Sequence, residues 1–142
     1  VFPSSISGLP GHDVEDVTLE NIEVVYEGGA DKQRAYFPWQ SLTKITEAAT
    51  AYPEFSMFGE LPAWGLYVRH AKNIRLQNVT LRYKKEDFRV PLIFDNVTNL
   101  QIENLHVPAS KEMPVILLNQ VKGYRLKELR LPKTENEAII VQ

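Results

Sequence analysis

The chain offers few side chains in an arrangement that could perform catalysis. Paired carboxylates would matter most, because cleavage of a glycosidic bond needs an acid and a base flanking that bond. Two pairs are close in sequence, Asp13 with Asp16 and Glu86 with Asp87, but both fall in predicted turns. No G-x-S-x-G context surrounds Ser4, Ser5 or Ser7. Metal-ligand spacing is absent around His12, His70 and His106. We therefore predict no catalytic residue, no metal site and no cofactor.

Four segments of the chain repeat one pattern of nine residues. The copies are residues 14–22, 71–79, 97–105 and 121–129. The later copies are spaced by 26 and 24 residues, a range typical of solenoids, and the first step is 57. Within a copy, apolar residues alternate with period two and then slip by one place. A period of two predicts a strand, and the slip predicts a corner where the chain turns.

Two columns of the repeat contain residues suited to corners. The first column is Asp16, Asn73, Asn99 and Gly123, and the second is Asn21, Asn78, Asn104 and Glu128. Asn, Asp and Gly tolerate a left-handed backbone better than other residues. We expect the amides of the second column to hydrogen-bond from copy to copy, with Glu128 interrupting this ladder.

A further strand precedes the first corner of each copy, at 66–69, 92–95 and 116–119, and again near 138–141. Three strands per turn without a helix predict an all-β fold, a parallel β-helix of about four to five coils. A leucine-rich repeat fits less well, because Asn falls two places after the strand leucine and the return segments contain Pro91 and Pro114. The predicted interior is Ile74, Leu76, Val79, Leu100, Ile102, Leu105, Leu126 and Leu129.

Residues 27–62 interrupt the repeat within a predicted single domain of residues 1–142. This insertion is rich in aromatic residues, and we expect most of them to pack against the barrel, with ligand contact as the alternative. Ser41 as an N-cap, with apolar residues through Ala49 and a stop at Pro53, predicts one short helix. The charged turns at 84–87 and 133–137 are expected to be solvated surface.

Composition excludes several classes of partner. The net charge is −2, with 24% charged residues of both signs interspersed, so we expect neither nucleic-acid nor membrane-surface binding. There is no cysteine and no apolar run of membrane-spanning length. The first residues lack the features of a signal peptide. We expect the chain to belong to something longer, or to self-associate through the open end of a coil.

One strand carries the most suggestive polar side chain. With Leu66 and Val68 facing inward, Arg69 should face outward and stack on Asp95 of the next copy. That ion pair is the structural interpretation of Arg69, and contact with a substrate is the alternative.

Two stretches resemble the C-terminal coils of glycoside hydrolase family 28, the polygalacturonases and related pectin-degrading hydrolases of bacterial type. One is the repeat from Asn73 to Leu81; the more distinctive one is Tyr52-Pro53-Glu54 with MFGELPAWGLYVRH at 57–70. The resemblance also covers residues 4–26. It implies a right-handed parallel β-helix, an inverting hydrolase as parent, and a periplasmic or extracellular location.

The catalytic motifs of that family are not found in this chain. NTD, DD and GHG are absent, and Gly11-His12-Asp13 is only a partial match. RxK occurs at 82–84 and 125–127, on other sides of the coil from the expected catalytic sheet. The resemblance therefore implies coils that extend the wall of a cleft for pectic polysaccharide or oligogalacturonide, and a chain that is inactive alone.

The resemblance also implies candidate substrate-binding residues. The family's catalytic sheet corresponds to Gly65–Arg69, so Arg69, Tyr67 and Trp64 are the candidates. An arginine can donate two parallel hydrogen bonds to a carboxylate, and aromatic faces suit sugar rings. The second hypothesis is a non-catalytic β-helix module for glycan binding or assembly.

Overall fold

A computed structural model describes residues 2–35, 42, 45–50, 58–108 and 112–142. The fold is all-β, with one sheet of seven strands that pair in parallel. The strands are β1 (Ser4–Ser7), β2 (Val14–Gly28), β3 (Ala63–Lys85), β4 (Val90–His106), β5 (Ile116–Asn119), β6 (Lys122–Arg130) and β7 (Ile139–Val141). Two one-turn helices are α1 (Lys32–Ala35) and α2 (Glu135–Ala138). No helix in these ranges is long and apolar enough to cross a membrane.

The strands lie in successive layers. β1 and β2 form the first layer and pair with the first and second parts of β3. β3 pairs along its length with β4, and β4 pairs in turn with β5 and β6. β7 pairs with β5 and begins a fifth layer. Equivalent repeat residues therefore stack in columns, as in the column of Glu15, Lys72, Thr98 and Lys122.

Left-handed residues divide the first four layers at the predicted corners. Both predicted columns have positive φ throughout, from 52° to 72°. The sequence interpretation missed a third column, formed by His70, Asn96 and Gln120, with φ of 48°, 53° and 52°. Glu128 adopts φ 53°, although a glutamate gains no local hydrogen bond there as asparagine can.

Amide side chains connect the layers at the corners. Asn78 donates to Asn21 at 2.7 Å, and Asn104 donates to Asn78 at 3.0 Å. In the other column, Asn73 donates to Asp16 at 2.8 Å and Asn99 donates to Asn73 at 2.9 Å. The predicted ladder is confirmed, and a second one runs beside it. In both ladders, the later layer donates to the earlier one.

Apolar side chains form two clusters, which lie on opposite sides of the strand segments that precede His70, Asn96 and Gln120. The inner cluster contains Leu66, Val68 and the predicted interior residues of β3 and β4. Those six residues are buried, whereas Leu126 and Leu129 are only partly buried because no strand lies beyond β6 within the described residues. The outer cluster consists of Leu42, Ile45, Phe58, Leu61, Ala63, Tyr67, Val90, Ile93 and Leu117.

Described residues of the insertion form part of the outer cluster, among them Leu42, Ile45, Phe58 and Leu61. The predicted helix from Ser41 falls largely outside the described residues, and residues 45–50 are not helical, so that part of the prediction is wrong. Of its aromatic residues, Phe58 is buried in the outer cluster.

The one-turn helix α1 was not predicted. α2 was not predicted either, and it moves the start of the last strand from Ala138 to Ile139.

Candidate functional site

Arg69 is held between the sheet and the insertion. Its Nε lies 3.0 Å from Oδ2 of Asp95 in the next layer and 3.1 Å from Oε1 of Glu47 in the insertion. Its Nη1 also donates to the carbonyl of Ile45 at 3.4 Å. The predicted pairing with Asp95 is therefore confirmed. Only 11% of the Arg69 side chain is exposed, so two carboxylates and the insertion enclose the guanidinium.

His70, a member of the third corner column, also contacts Glu47. Its Nε2 is 2.6 Å from Oε1 of Glu47, and the amide nitrogen of Asn96 is 2.7 Å from its Nδ1. Because that amide nitrogen donates, Nδ1 accepts, and the ring hydrogen lies on Nε2 pointing at Glu47. Arg69, Glu47, His70 and Asp95 together are the Arg69 cluster.

The Arg69 cluster is not arranged as an acid and base pair. An inverting glycosidase holds its two carboxyl groups about 6.5–9.5 Å apart, with the sugar and a water between them. Here both carboxylates contact one nitrogen atom, and Asp95 also accepts from Asn119 at 2.6 Å. Asp95 is 4% exposed. The geometry fits neutralisation of a partly buried arginine and attachment of the insertion to the sheet.

Tyr67 lies under the insertion. It faces the outer side of the sheet, as the alternation of β3 requires, and its exposed fraction is 0%. Burial raises the pKa of its phenol well above the usual value, and the neighbouring Arg69 only partly offsets this. Its hydroxyl has no hydrogen-bond partner within the described residues. Neither face of this ring is available to a sugar in the structure.

Trp64 lies in the interior. It shares the side of β3 that carries Leu66 and Val68, because these positions are two residues apart. Its ring makes edge contacts with Tyr26 and Tyr83, with centroids 5.6 and 5.1 Å away, and its exposed fraction is 0%. Trp64 therefore has no exposed surface for the expected contact with substrate. The period-two pattern of β3 already indicated its interior position.

Another ion pair, which is fully buried, attaches the start of the insertion. Asp87 is fully buried and accepts from Nε and Nη2 of Arg89 at 3.0 and 2.8 Å. It also accepts from the backbone N–H of Arg89 and of Ala30, at 3.0 and 3.1 Å. The prediction that the turn at 84–87 is solvated is wrong for Asp87. Arg89 lies two residues away, and this short spacing was the only available signal in the sequence.

The sequence interpretation also missed Glu47 and His70 as members of the cluster. His70 could have been found, because it stands in one column with Asn96 and Gln120, directly before each repeat copy. Glu47 belongs to the insertion, which has no repeat to align.

No group of three His, Asp or Glu side chains in the described ranges is arranged to hold a metal ion. Comparison with protein-family models, with curated proteins and with solved structures gave no match.

Proposed function

We propose that the layers form a right-handed parallel β-helix. Three columns of left-handed residues divide the layers of β3, of β4 and of β5 with β6, and in-register parallel pairing connects β2, β3, β4 and β6. Amide ladders at two corners and a continuous inner cluster support the same arrangement. The right hand comes from the resemblance to family 28.

We further propose that the chain forms non-catalytic coils of a polygalacturonase-like hydrolase that acts on pectin. One observation carries the non-catalytic part: Asp95 on the expected catalytic sheet and Glu47 in the insertion both contact the same nitrogen atom of Arg69, which is not the separation of an acid and a base around a sugar. The pectin substrate rests on the segment at 57–70 and on the repeat. These coils would continue the wall of a cleft, and the catalytic aspartates would lie in other coils. The protein would act outside the cell or in the periplasm.

Arg69 remains the side chain of this face with the best chemistry for a galacturonate carboxylate. It could reach a substrate only if Glu47 and the insertion moved away, because its charge is already matched by two carboxylates. Tyr67 and Trp64 would need still larger rearrangements, since both are fully buried. Substrate contact by any of these three side chains would therefore require this part of the structure to rearrange.

The second candidate is a non-catalytic β-helix module for glycan binding or assembly. The covering of the outer cluster favours it, because an insertion packed over Tyr67 and Ile93 closes the face that a cleft would need. The two candidates differ in whether neighbouring coils carry the aspartate motifs.

The direct test is release of reducing sugar from polygalacturonate. We expect the purified chain to release none above buffer, while a reference polygalacturonase releases sugar in the same assay. Asp95→Asn serves as the matched variant, because any genuine activity of this face would depend on its buried carboxylate. Activity of the chain that Asp95→Asn abolishes would overturn the non-catalytic assignment, and activity that this variant retains would identify a contaminant.

A further inference from the structure

The side of the stacked layers carries a polar sheet face. Between the first and second corner columns, each of the first four layers contributes one segment, at 17–20, 74–77, 100–103 and 124–127. Alternate residues face inward, and the others form the middle face: Thr18 and Glu20, Arg75 and Gln77, Gln101 and Glu103, Arg125 and Lys127. A further layer at either end of the stack would lengthen this face without covering it.

The charges of the middle face form no ion pairs within the described residues. Elsewhere on the sides of the layers, acids of β2 pair with bases of β3, as Glu15 does with Lys72 and Glu23 with Arg82. β3 and β4 have described strands on both sides, so the charges they contribute are unpaired whatever lies beyond the stack. The charged residues of the middle face are Glu20, Arg75, Glu103, Arg125 and Lys127.

The order of these side chains makes the middle face complementary to itself. A two-fold axis parallel to the strands, between β3 and β4, turns the first layer onto the fourth and the second onto the third. Each side chain then faces one of opposite charge or one with which it can share a hydrogen bond. The facing pairs, each made twice, are Glu20 with Lys127, Arg75 with Gln101, Gln77 with Glu103, and Thr18 with Arg125.

Other two-fold arrangements of the middle face bring like charges together. An axis through β3 places Arg75 against its own copy and Glu20 against Glu103. An axis through β4 places Glu103 against its own copy and Arg75 against Arg125. An axis along the stack places Arg125 against Lys127. Because like charges oppose association, the axis between β3 and β4 is the one that the charges favour.

The middle face has a recess at its centre. A cavity of about 40 Å³ lies among side chains of β3, β4 and β6, including Arg75, Gln101 and Lys127. The axis between β3 and β4 places β3 of a second copy over this cavity, so that one of its long side chains can enter.

The size of the middle face sets the expected strength of the contact. With layers about 4.8 Å apart and residues about 3.3 Å apart along a strand, four layers present roughly 300 Å². A stable interface buries about 800 Å² on each partner. We therefore expect association through the described layers to be weak and governed by charge.

We propose that two copies of the chain associate through their middle faces, with antiparallel stacks and the two-fold axis between β3 and β4. Glu20 of each copy pairs with Lys127 of the other, and Arg75 with Gln101. This proposal is independent of pectin binding.

Sedimentation velocity of the intact chain, from micromolar to millimolar concentration, measures the association. We expect a monomer–dimer equilibrium that weakens as salt is raised, because salt screens exposed charges. Lys127→Glu brings a carboxylate against Glu20 twice, and we expect the dissociation constant to rise at least about tenfold. Adding Glu20→Lys to that variant restores opposite charges, and we expect a dissociation constant within about threefold of wild type.

The matched control exchanges the charges of an ion pair outside the middle face. Glu23→Lys with Arg82→Glu keeps both the net charge and the opposite signs of this pair. We expect it to change the dissociation constant less than about twofold.

Gln101→Asp tests the two inner layers separately. It places a carboxylate opposite Arg75 of the second copy, and both residues lie on strands with described neighbours on either side. We expect the dissociation constant to fall about threefold or more.

Cross-linking locates the contact. The chain has no cysteine, so Glu20→Cys and Lys127→Cys each introduce one thiol. A short bismaleimide should join the two variants when they are mixed, and neither variant to itself, because only unlike positions face each other.

The proposal is overturned if no dimer forms, if the dimer tightens with salt, or if a single cysteine variant cross-links to itself. It is also overturned if adding Glu20→Lys does not restore the affinity that Lys127→Glu loses, if Gln101→Asp weakens the dimer, or if the exchange of Glu23 and Arg82 weakens it as much as Lys127→Glu does. Assembly that continues beyond a dimer would identify association through the ends of the stack and overturn the proposal as well.

Discussion

The layers of β3 and β4 and the insertion beside them are stabilised in different ways. The layers bury apolar columns, pair their backbones in register and repeat the same corner residues. Among the described residues, the insertion is attached by the buried pair of Asp87 with Arg89, by the partly buried pair of Glu47 with Arg69, and by the outer cluster. Because the layers repeat one pattern, their structure can be predicted from the sequence. The position of the insertion depends on a few specific contacts.

The largest effect is expected inside the layers. Ile102→Asp places a charge between stacked apolar side chains, at a position that is 1% exposed. We expect the free energy of unfolding to fall by more than about 4 kcal/mol, enough to prevent folding in a chain of ordinary stability. The control is Gln101→Asp, an exposed neighbour on the same strand, which should change stability by less than about 0.5 kcal/mol. Equal urea midpoints for Ile102→Asp and wild type would refute the column assignment.

The next effect concerns the attachment of the insertion. Asp87→Asn removes the negative charge that faces the buried Arg89 and weakens four hydrogen bonds. We expect a loss of about 3–5 kcal/mol, as for other buried pairs that lose one charge. Glu86→Gln, at the exposed neighbouring position, should leave stability nearly unchanged. If the two variants melt together, Asp87 does not hold the insertion.

The smallest effect tests whether the outer face of the sheet around Tyr67 excludes water. The folded-state pKa of Tyr67 is raised above the unfolded value of 10.0, so above that pH the unfolded chain loses a proton that the folded chain retains. Stability should then fall with rising pH, at up to about 1.4 kcal/mol per pH unit from this group.

Tyr67→Phe should remove that alkaline loss. It should change stability little at pH 7, because the hydroxyl has no hydrogen-bond partner within the described residues. Urea midpoints at pH 7 and pH 11 measure both effects, with Tyr124→Phe as the exposed control. Parallel pH profiles for wild type and Tyr67→Phe would mean that water reaches the ring.

The contrast between the two regions also explains how far the sequence could be interpreted. The period-two pattern and the corner columns predicted the strands, the positive φ at Asn73 and Asn78, and the interior position of Ile74 and Leu76. These features follow from local rules that each copy repeats. The pairing of Arg69 with Asp95 followed from the same column alignment.

The remaining features depend on contacts between distant residues that have no repeat. Glu47 meets Arg69 across 22 positions, and Ala30 meets Asp87 across 57. Nothing in the local pattern of either segment indicates these contacts. Trp64 is a different case, because its alternation with Leu66 and Val68 indicated an interior position and the resemblance outweighed that signal.

Arg69→Ala tests most directly whether the Arg69 cluster is a structural attachment or a ligand site. Melting temperature and migration in a native gel containing polygalacturonate are measured on the same preparation. Arg75→Ala is the control, an exposed arginine on the same strand. We predict a melting temperature lower by about 5–10 °C for Arg69→Ala, and migration equal to that of the control. An unchanged melting temperature, with retardation by polygalacturonate that is present in wild type and lost only in Arg69→Ala, would contradict the account.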